Sequence, residues 1–429
     1  GSATVHFPIW HQEIQDIIVL KNNKGTEDNR VRKLDYSIQI SKLFYERFIE
    51  NKEITLFSPH DVPNLYDSFG TELFDELYCT YESDESIPKV RIGAQELFLN
   101  LLKERAETGR IYLMNIDHCN THSSFKDKVN MSNLCQEITL PTDPINHIDD
   151  EGGEIALCIL SAINVGKIKH LDEMEELCDL AVRGLEELID YQGYPVRAAE
   201  RATKARRSLG VGFIGLAHYL AKIGCKYGDP KALQSVHDLT ESFQYYLLKA
   251  SNEIAKEKGA CEAFSHTKYS DGILPIDTYK KDVDSVVSNA TNGVEPPRGY
   301  LSIKKSKKGP LKQVVPQYTY LKNNYTLLWD MESNQGYIKI LAVMQKFFDQ
   351  AISGNWSYNP ENYPDNEVPV SVMAQDLLTT YKYGWKTSYY QNTYDQKGDD
   401  LLEDKKQTLE NILAELDNTE EDDCESCKI

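Results

Sequence analysis

The sequence feature that most constrains the fold is an amphipathic helix that runs directly into a short apolar strand. Glu96 to Glu107 have helical periodicity, Thr108-Gly109 predict the end of the helix, and Arg110 to Asn115 are rich in strand-forming residues. Long helices are predicted again at Leu171 to Tyr191 and at Leu233 to Glu257. Because helices and short apolar strands recur along the chain, the sequence predicts an α/β architecture.

Three further segments carry apolar patterns that predict structure. Between Ile14 and about Glu50 the chain is predicted to be helical in pieces, with apolar residues at three- and four-residue steps from Leu34 to Phe44. Glu154 to Val165 are apolar enough for a buried strand or its approach. Ser208 to Leu216 mix apolar residues with closely spaced glycines, which indicates close backbone packing or, alternatively, a nucleotide-binding loop.

The charge and the hydropathy pattern exclude several classes of protein. The formal net charge of −20 argues against nucleic acid as the main partner, because lysine and arginine dominate that affinity. The basic run Lys304 to Lys308 is interpreted as a solvated turn rather than a phosphate site. No apolar run approaches the roughly 20 residues of a membrane-spanning helix, and the N-terminus lacks the zones of a secretory signal. We therefore expect a soluble, cytoplasmic protein.

The most informative segment for chemistry is Met131 to Leu140, which is extended by composition and closed by Pro141. Side chains alternate in an extended backbone, so Asn133, Cys135 and Glu137 are predicted to project from one face at spacings of about 7 Å. An edge strand with its polar face in water is the alternative. A nearby carboxylate disfavours thiolate formation, so one-electron chemistry of a neutral thiol suits this cysteine better than thiolate attack.

Other candidate residues are ambiguous when taken alone. The chain has nine cysteines and no export signal, so a disulfide framework is not expected. Cys158 has apolar neighbours and is typical of a small core residue as well as of a buried reactive thiol. The neighbouring Tyr389 and Tyr390 are explained by packing or by a redox pair.

The chain changes character after Asn392, where it becomes acidic and poor in aromatic residues. This composition predicts a mobile tail, which carries Cys424 and Cys427 near its end. A C-x-x-C pair is found in zinc half-sites and in thioredoxin-type redox motifs, but neither context is present in the surrounding sequence. The remaining interpretation is a flexible carrier of reducing equivalents that exchanges with other dithiols.

Together these segments resemble the large subunit of class I ribonucleoside-diphosphate reductase over nearly the whole chain. Six motifs in the family's order carry the resemblance: Ile116 to His122, Asn133 to Glu137, Ile155 to Cys158, Ser288 to Gly299, Tyr389 to Thr393 and Cys424 to Ile429. The resemblance implies that residues 1–392 form the second half of a ten-stranded α/β barrel with a central finger loop. It also implies that residues 393–429 form a flexible acidic tail ending in a redox dithiol.

The resemblance implies a role for each motif residue in the active site. Cys135 would become the transient thiyl radical that removes the hydrogen from the ribose 3′ carbon of a ribonucleoside diphosphate. Glu137 would accept the 3′-hydroxyl proton, a general-base role, and Asn133 would hold the substrate by hydrogen bonds. Cys158 would be one of two thiols that reduce the 2′ position and end as a disulfide.

The resemblance also implies partners outside the chain. Tyr389 and Tyr390 would relay the radical from a small subunit that holds a di-iron tyrosyl centre. Cys424 and Cys427 would reduce the active-site disulfide and be served in turn by thioredoxin or glutaredoxin. No cofactor is expected to bind this chain directly, whereas nucleoside triphosphates are expected as effectors.

Two departures from the family pattern bear on activity. The sequence starts well inside the family's large subunit, so we expect the N-terminal half, with the partner thiol of Cys158, to act in trans and this chain to be inactive alone. Between Asp282 and Ser288 the family has a longer, serine-rich segment that grips the substrate diphosphate, and here only Val283 to Val287 stand. A non-catalytic homologue that binds reductase subunits is therefore the alternative, and a stand-alone thiol oxidoreductase is a third hypothesis.

Overall fold

The computed structural model describes residues 2–148, 150, 152–279, 294–306 and 309–394. The segment between Asp282 and Ser288 and the dithiol of Cys424 and Cys427 lie outside these residues. The strands are β1 (Thr4–Pro8), β2 (Asp35–Ile40), β3 (Glu53–Leu56), β4 (Val90–Gly93), β5 (Ile111–Asn115), β6 (Ile159–Asn164), β7 (Leu209–Ile214), β8 (Leu301–Ser306), β9 (Gly309–Val314), β10 (Gly354–Tyr358) and β11 (Thr387–Thr393).

The α-helices alternate with these strands along most of the chain. They are α1 (Ile14–Ile18), α2 (Lys42–Ile49), α3 (Leu65–Ser68), α4 (Phe74–Ser83), α5 (Ala94–Thr108), α6 (Ile116–Thr121), α7 (Glu173–Tyr191), α8 (Arg197–Arg206), α9 (Leu216–Lys222), α10 (Pro230–Lys258), α11 (Pro275–Thr278), α12 (Tyr318–Leu321), α13 (Gln335–Gln345) and α14 (Val370–Lys382). Short 3₁₀ helices lie at Glu27–Asn29, Glu262–His266, Lys268–Asp271, Leu328–Asp330, Pro360–Asn362 and Pro364–Asn366.

A five-stranded sheet with the strand order β1-β2-β5-β11-β10 organises the site. β1, β2 and β5 are parallel, β11 runs antiparallel to β5, and β10 is parallel to β11. The start of β11 therefore lies beside the end of β5, where Thr387 pairs with Met114. This sheet, with helices packed against it, confirms the predicted α/β class.

A second parallel pair, β6 and β7, is covered by α7, and α10 packs on α7. The predicted strand between Glu154 and Val165 is present as β6, but only Ile163 of its residues is buried, so the expected burial of this strand is wrong. The glycine-containing segment Ser208 to Leu216 is β7, and a Cβ at Gly210 would lie 2.4 Å from Leu160 Cδ2 and 2.6 Å from Cys158 Sγ. The predicted close backbone packing is therefore confirmed. In the described ranges β6-β7 is a sheet separate from the five-stranded one.

The predicted helix over Leu34 to Phe44 is wrong for most of its length. Residues Asp35–Ile40 form strand β2, and only Lys42–Ile49 are helical. All six residues of β2 are buried, and its apolar residues Tyr36, Ile38 and Ile40 do alternate with polar ones, so the two-residue period of a strand stands beside the helical spacing. By contrast, the predicted helix before Thr108-Gly109 is confirmed, because Gly109 ends α5 in the left-handed conformation, at φ +69°.

The two long predicted helices are confirmed as α7 and α10, and α10 begins at Pro230, directly after its N-cap residue Asp229. One continuous apolar core joins the helices to the five-stranded sheet, with Trp10, Phe98, Phe213 and Trp356 fully buried in it. In the described part of the chain, no helix combines the length and the hydropathy needed to cross a bilayer.

Candidate active site

Residues 131–140, here called the Cys135 loop, form a turn rather than an extended strand. The Gln136 amide donates to Asn133 O at 3.2 Å, and the Asn133 amide donates to Ile138 O at 3.2 Å. Gln136 takes a left-handed conformation with φ +70°. The prediction that Asn133, Cys135 and Glu137 share one face of an extended segment is therefore wrong, because the turn interrupts the alternation of side chains.

Hydroxyl groups hold the tip of the Cys135 loop. Three consecutive carbonyl oxygens each accept a hydrogen bond: Leu134 from Thr4 Oγ1 at 3.0 Å, Cys135 from Ser353 Oγ at 2.5 Å and Gln136 from Thr387 Oγ1 at 2.8 Å. The donors belong to β1, to the residue before β10 and to the first residue of β11. The loop tip is thus fixed by parts of the fold that are far apart in sequence.

Two buried polar residues of β2, Ser37 and Gln39, bind the Cys135 loop and the residue just before it, Asn130. The Gln136 side chain is fully buried, and Ser37 Oγ donates to its Oε1 at 2.8 Å. Gln39 Nε2 donates to Asn130 O at 2.6 Å. These bonds satisfy polar groups that would otherwise be costly to bury. They also attach β2 directly to the Cys135 loop.

Glu137 and Asn133 have different surroundings within the loop. Glu137 is half-buried, and its Oε2 accepts a hydrogen bond from Ser353 Oγ at 3.2 Å. Asn133 Oδ1 accepts from the Ile138 amide at 3.1 Å and from Ser132 Oγ at 3.3 Å, so the amide oxygen stabilises the turn. The carboxylate of Glu137 and the backbone of Cys135 therefore share one hydroxyl partner, Ser353.

Cys158 lies just before β6, and its thiol is half-buried against Gly210. Burial, followed by the charges of Asp349 and Glu137, raises the pKa of Cys158 to about 12. The fold thus brings Cys158 within electrostatic range of Glu137, 21 positions earlier in the chain. At neutral pH this thiol keeps its proton.

Tyr389 and Tyr390 are consecutive residues of β11, the strand whose first residue holds the tip of the Cys135 loop. Their ring centroids are 4.0 Å apart. Burial and hydrogen bonds with Tyr390 and Cys135 raise the pKa of Tyr389, so its phenol stays protonated at neutral pH. The ring of Tyr112 in β5 lies 4.7 Å from that of Tyr389 and 5.7 Å from that of Tyr390. The thiol of Cys135 and the two predicted tyrosines are therefore contiguous.

A buried arginine, Arg105, binds the backbone carbonyls of this tyrosine pair. Arg105 is fully buried, and its guanidinium donates to Tyr389 O at 2.7 Å and to Tyr390 O at 3.3 Å. It also lies over the Trp356 ring, 4.7 Å from the centroid. Burial lowers the pKa of Arg105 to about 10, which still leaves it charged at neutral pH.

The motif Ile116 to His122 supports the site without touching the loop tip. It forms α6, and Lys386 Nζ donates to His122 O at 2.7 Å, just before β11 begins. Burial lowers the pKa of His122 well below its ordinary value, so the ring is neutral. In the described part of the chain, no group of three His, Cys, Asp or Glu side chains is arranged to hold a metal ion.

No sequence pattern marks Ser353, Tyr112, Asp349 or Arg105 as part of the site. Each of them is an ordinary residue in its local sequence, and its place at the site follows from contacts with segments far along the chain. The one local signal was the strand-forming composition of Arg110 to Asn115, which places Tyr112 in a buried strand. That composition does not show what the strand faces.

Comparisons with known proteins identify the family to which the chain is similar. A family model described as "Ribonucleotide reductase, barrel domain" matches residues 1–284 and 283–391. The chain is 54% identical to the ribonucleoside-diphosphate reductase subunit alpha of Haemophilus influenzae, over 94% of the chain and 59% of that protein. It is 50% identical to ribonucleoside-diphosphate reductase 1 subunit alpha of Escherichia coli, over 100% of the chain and 61% of that protein.

A phage protein is also similar. The chain is 40% identical to the ribonucleoside-diphosphate reductase subunit alpha of Enterobacteria phage T4, over 100% of the chain and 61% of that protein. The chain thus spans about 60% of the length of these three relatives.

Proposed function

The chain belongs to the ribonucleotide reductase barrel-domain family, and on this premise we propose that it is the catalytic C-terminal part of a class I ribonucleoside-diphosphate reductase large subunit. It would convert ribonucleoside diphosphates to 2′-deoxyribonucleoside diphosphates by thiyl-radical chemistry. The observation that carries the proposal is the contiguous series Tyr390, Tyr389 and Cys135, with Glu137 and Cys158 beside it.

The first step of the proposed mechanism is a hydrogen-atom transfer along this series. A tyrosyl radical on Tyr389 takes the hydrogen atom of the Cys135 thiol, which restores the phenol and leaves a thiyl radical. The raised pKa of Tyr389 supports this, because its electron and proton then move together. The influence of Cys135 on the pKa of Tyr389 supports a close approach of the two side chains, which such a transfer needs.

The second step takes place on the ribose. The Cys135 radical removes the 3′ hydrogen, and Glu137 accepts the 3′-hydroxyl proton as the general base while Asn133 helps to hold the substrate. The 2′ hydroxyl leaves as water after it gains a proton. Cys158 and a second thiol supply two electrons and become a disulfide, and Cys135 then returns the 3′ hydrogen. The raised pKa of Cys158 keeps its proton available for this step.

The remaining parts of the proposal concern partners and domain organisation. Residues 1–392 would complete a ten-stranded barrel with a finger loop once an N-terminal half is present. A small subunit with a di-iron tyrosyl radical would oxidise Tyr390, and nucleoside triphosphates would act as effectors. Cys424 and Cys427, on the tail of residues 393–429, would reduce the disulfide and exchange with thioredoxin or glutaredoxin in the cytoplasm.

Reconstitution tests this function. We expect that the chain, mixed with the N-terminal portion of the large subunit and a small subunit, reduces ribonucleoside diphosphates, and that Cys135→Ser abolishes the reduction. The matched control is Cys79→Ser on α4, where the thiol is exposed and remote from the Cys135 loop. If the intact mixture forms no deoxynucleotide, the non-catalytic alternative is favoured instead.

A further inference from the structure

We infer that Ser353 is a positioning residue that couples the protonation of Glu137 to the placement of Cys135; this inference rests on the proposed function. Ser353 stands directly before β10 and is half-buried. Its Oγ lies 2.5 Å from Cys135 O and 3.2 Å from Glu137 Oε2. One hydroxyl therefore contacts both the radical-bearing residue and the proposed base.

The backbone around Ser353 is fixed by its neighbours. The Gly354 amide donates to Ile352 O at 2.7 Å, which makes Ser353 the central residue of a three-residue turn. Ile352 is buried and its carbonyl also accepts from Thr387 Oγ1 at 3.1 Å. A Cβ at Gly354 would lie 2.4 Å from the Trp385 ring, so the chain has no room to shift there. The Ser353 hydroxyl is thus held in place facing the Cys135 loop.

The chemistry of a single hydroxyl explains the coupling. A serine donates one hydrogen and accepts through two lone pairs. While Glu137 is ionised, it competes with Cys135 O for that one hydrogen. After Glu137 has taken the substrate proton, its own O–H donates to Ser353 Oγ, and the serine hydrogen turns fully to Cys135 O. No proton leaves the serine, yet the carbonyl of Cys135 is bound most tightly while the base is protonated.

Comparison with the other hydroxyls at the loop tip shows what is particular to Ser353. Thr4 and Thr387 donate to the carbonyls of Leu134 and Gln136 and hold only backbone. Ser353 contacts backbone and a catalytic carboxylate together. Its removal is therefore expected to affect the proton-transfer step and not merely the order of the loop.

The first test measures steady-state reduction in the reconstituted mixture. Ser353→Ala is expected to lower kcat about tenfold to a hundredfold, as a small misplacement of reacting groups does, with KM changed less than about twofold. Ser353→Thr keeps the hydroxyl and should restore most of the rate. Ser242→Ala on α10 is the matched control and should behave like the parent chain. A Ser353→Ala chain with full kcat would overturn the inference.

A double-mutant cycle separates coupling from simple structural support. In single turnovers with radiolabelled substrate, Ser353→Ala is expected to cost less than about twofold in a chain that already carries Glu137→Gln, because the carboxylate that it serves is gone. Equal losses with and without the Glu137→Gln substitution would assign Ser353 a structural role only and reject the coupling.

A third measurement does not depend on turnover. In the chain by itself, amide hydrogen exchange over residues 131–140 should rise in Ser353→Ala and stay at the parent level in Ser353→Thr and Ser242→Ala. Unchanged exchange in Ser353→Ala would overturn the inference even if nucleotide reduction is observed. Raised exchange in a mixture without turnover would instead locate the failure in the proposed function.

Discussion

At the scale of single residues, the surroundings of the thiols set their chemistry. Cys158 is half-buried and lies near the charges of Asp349 and Glu137, and both its burial and these charges disfavour a thiolate. A nucleophilic cysteine would need the opposite surroundings, with cations or a helix N-terminus nearby. These surroundings therefore keep Cys158 a neutral thiol at neutral pH.

The raised pKa of Cys158 predicts slow alkylation that depends strongly on pH. At pH 8 a thiol with a pKa of about 12 has a thiolate fraction about a thousandfold smaller than an ordinary thiol near 9. We expect its reaction with iodoacetamide to rise about tenfold per pH unit from pH 7 to 10. Mass spectrometry of the Cys158 peptide measures this rate, and the exposed Cys79 serves as the internal comparison. A flat profile for Cys158 would contradict the assigned environment.

Gln136 has a left-handed backbone conformation, with φ +70°, that the sequence does not predict. Residues other than glycine adopt a positive φ at a cost of about 1 kcal/mol or more. Here the cost is offset by bonds from Ser37 to the Gln136 side chain and from Thr387 to its carbonyl. The turn is therefore a product of its partners and not of the local sequence Asn133 to Glu137.

At the scale of elements, β7 shows how a glycine leaves room for the Cys158 thiol. Gly210 lies against Cys158 Sγ and Leu160 Cδ2, whereas a Cβ at Gly212 would meet nothing within 4 Å. Leu160 is 58% exposed and can rotate away, so the thiol has to absorb most of any added volume. Gly210 and Gly212 therefore form a matched pair, in which an added methyl group meets the Cys158 thiol at the first position and open space at the second.

We expect Gly210→Ala to displace Cys158 and to lower nucleotide reduction in the reconstituted enzyme, with a stability loss of about 1–3 kcal/mol from overpacking. Gly212→Ala should leave both properties close to those of the parent chain. Denaturant unfolding and turnover of the two variants, measured side by side, make the comparison. Equal behaviour of the two variants would show that the contact with Cys158 is unimportant.

β11 is the element that joins most parts of the site. Its first residue, Thr387, holds the loop tip, and two residues further on Cys135 contributes to the raised pKa of Tyr389. Before the strand, the buried Lys386 donates to His122 O, and Arg105 binds the carbonyls of the tyrosine pair. A small rotation of this strand would therefore move the tyrosines and the loop together.

At the scale of the whole molecule, the candidate site depends on contacts that are remote in sequence. The donors to the Cys135 loop lie 130 positions before Leu134, in Thr4, and 218 positions after Cys135, in Ser353. Such contacts form only when the complete sheet has assembled. Global unfolding is consequently expected to abolish the loop structure together with the sheet.

The pKa of His6 links global stability to pH. Burial lowers the pKa of His6 from 6.5 to about 4, against a hydrogen bond with Ser132 O that raises it. Above pH 6.5 the ring is neutral in both the folded and the unfolded chain, so it adds no pH dependence. As the pH falls from 6.5 towards 4, only the unfolded chain takes up the proton, and the free energy of unfolding decreases.

We expect this effect to remove about 1–3 kcal/mol of stability between pH 6.5 and 4. Urea unfolding at several pH values measures this change. In His6→Gln the free energy of unfolding should fall less steeply with pH in that window, with the slope reduced by the equivalent of at most one bound proton. His60→Asn, at an exposed position, is the control and should keep the parent slope. An identical slope in the His6→Gln chain would contradict the assignment.

The sequence by itself determined the α/β class, the helices α5, α7 and α10, and the motif residues on which the family membership was predicted. These depend on local patterns, namely apolar periodicity, capping residues and short motifs. Each such pattern is contained within a stretch of about ten to thirty residues. The tertiary structure alone decided that Asp35–Ile40 is a strand, that the Cys135 loop turns at Gln136, and that Ser353 and Arg105 support the site. The physical reason is that the apolar spacing around β2 fits a helix as well as a strand, so packing decides between them. A strained turn or a buried polar group is likewise stable only once distant partners satisfy it.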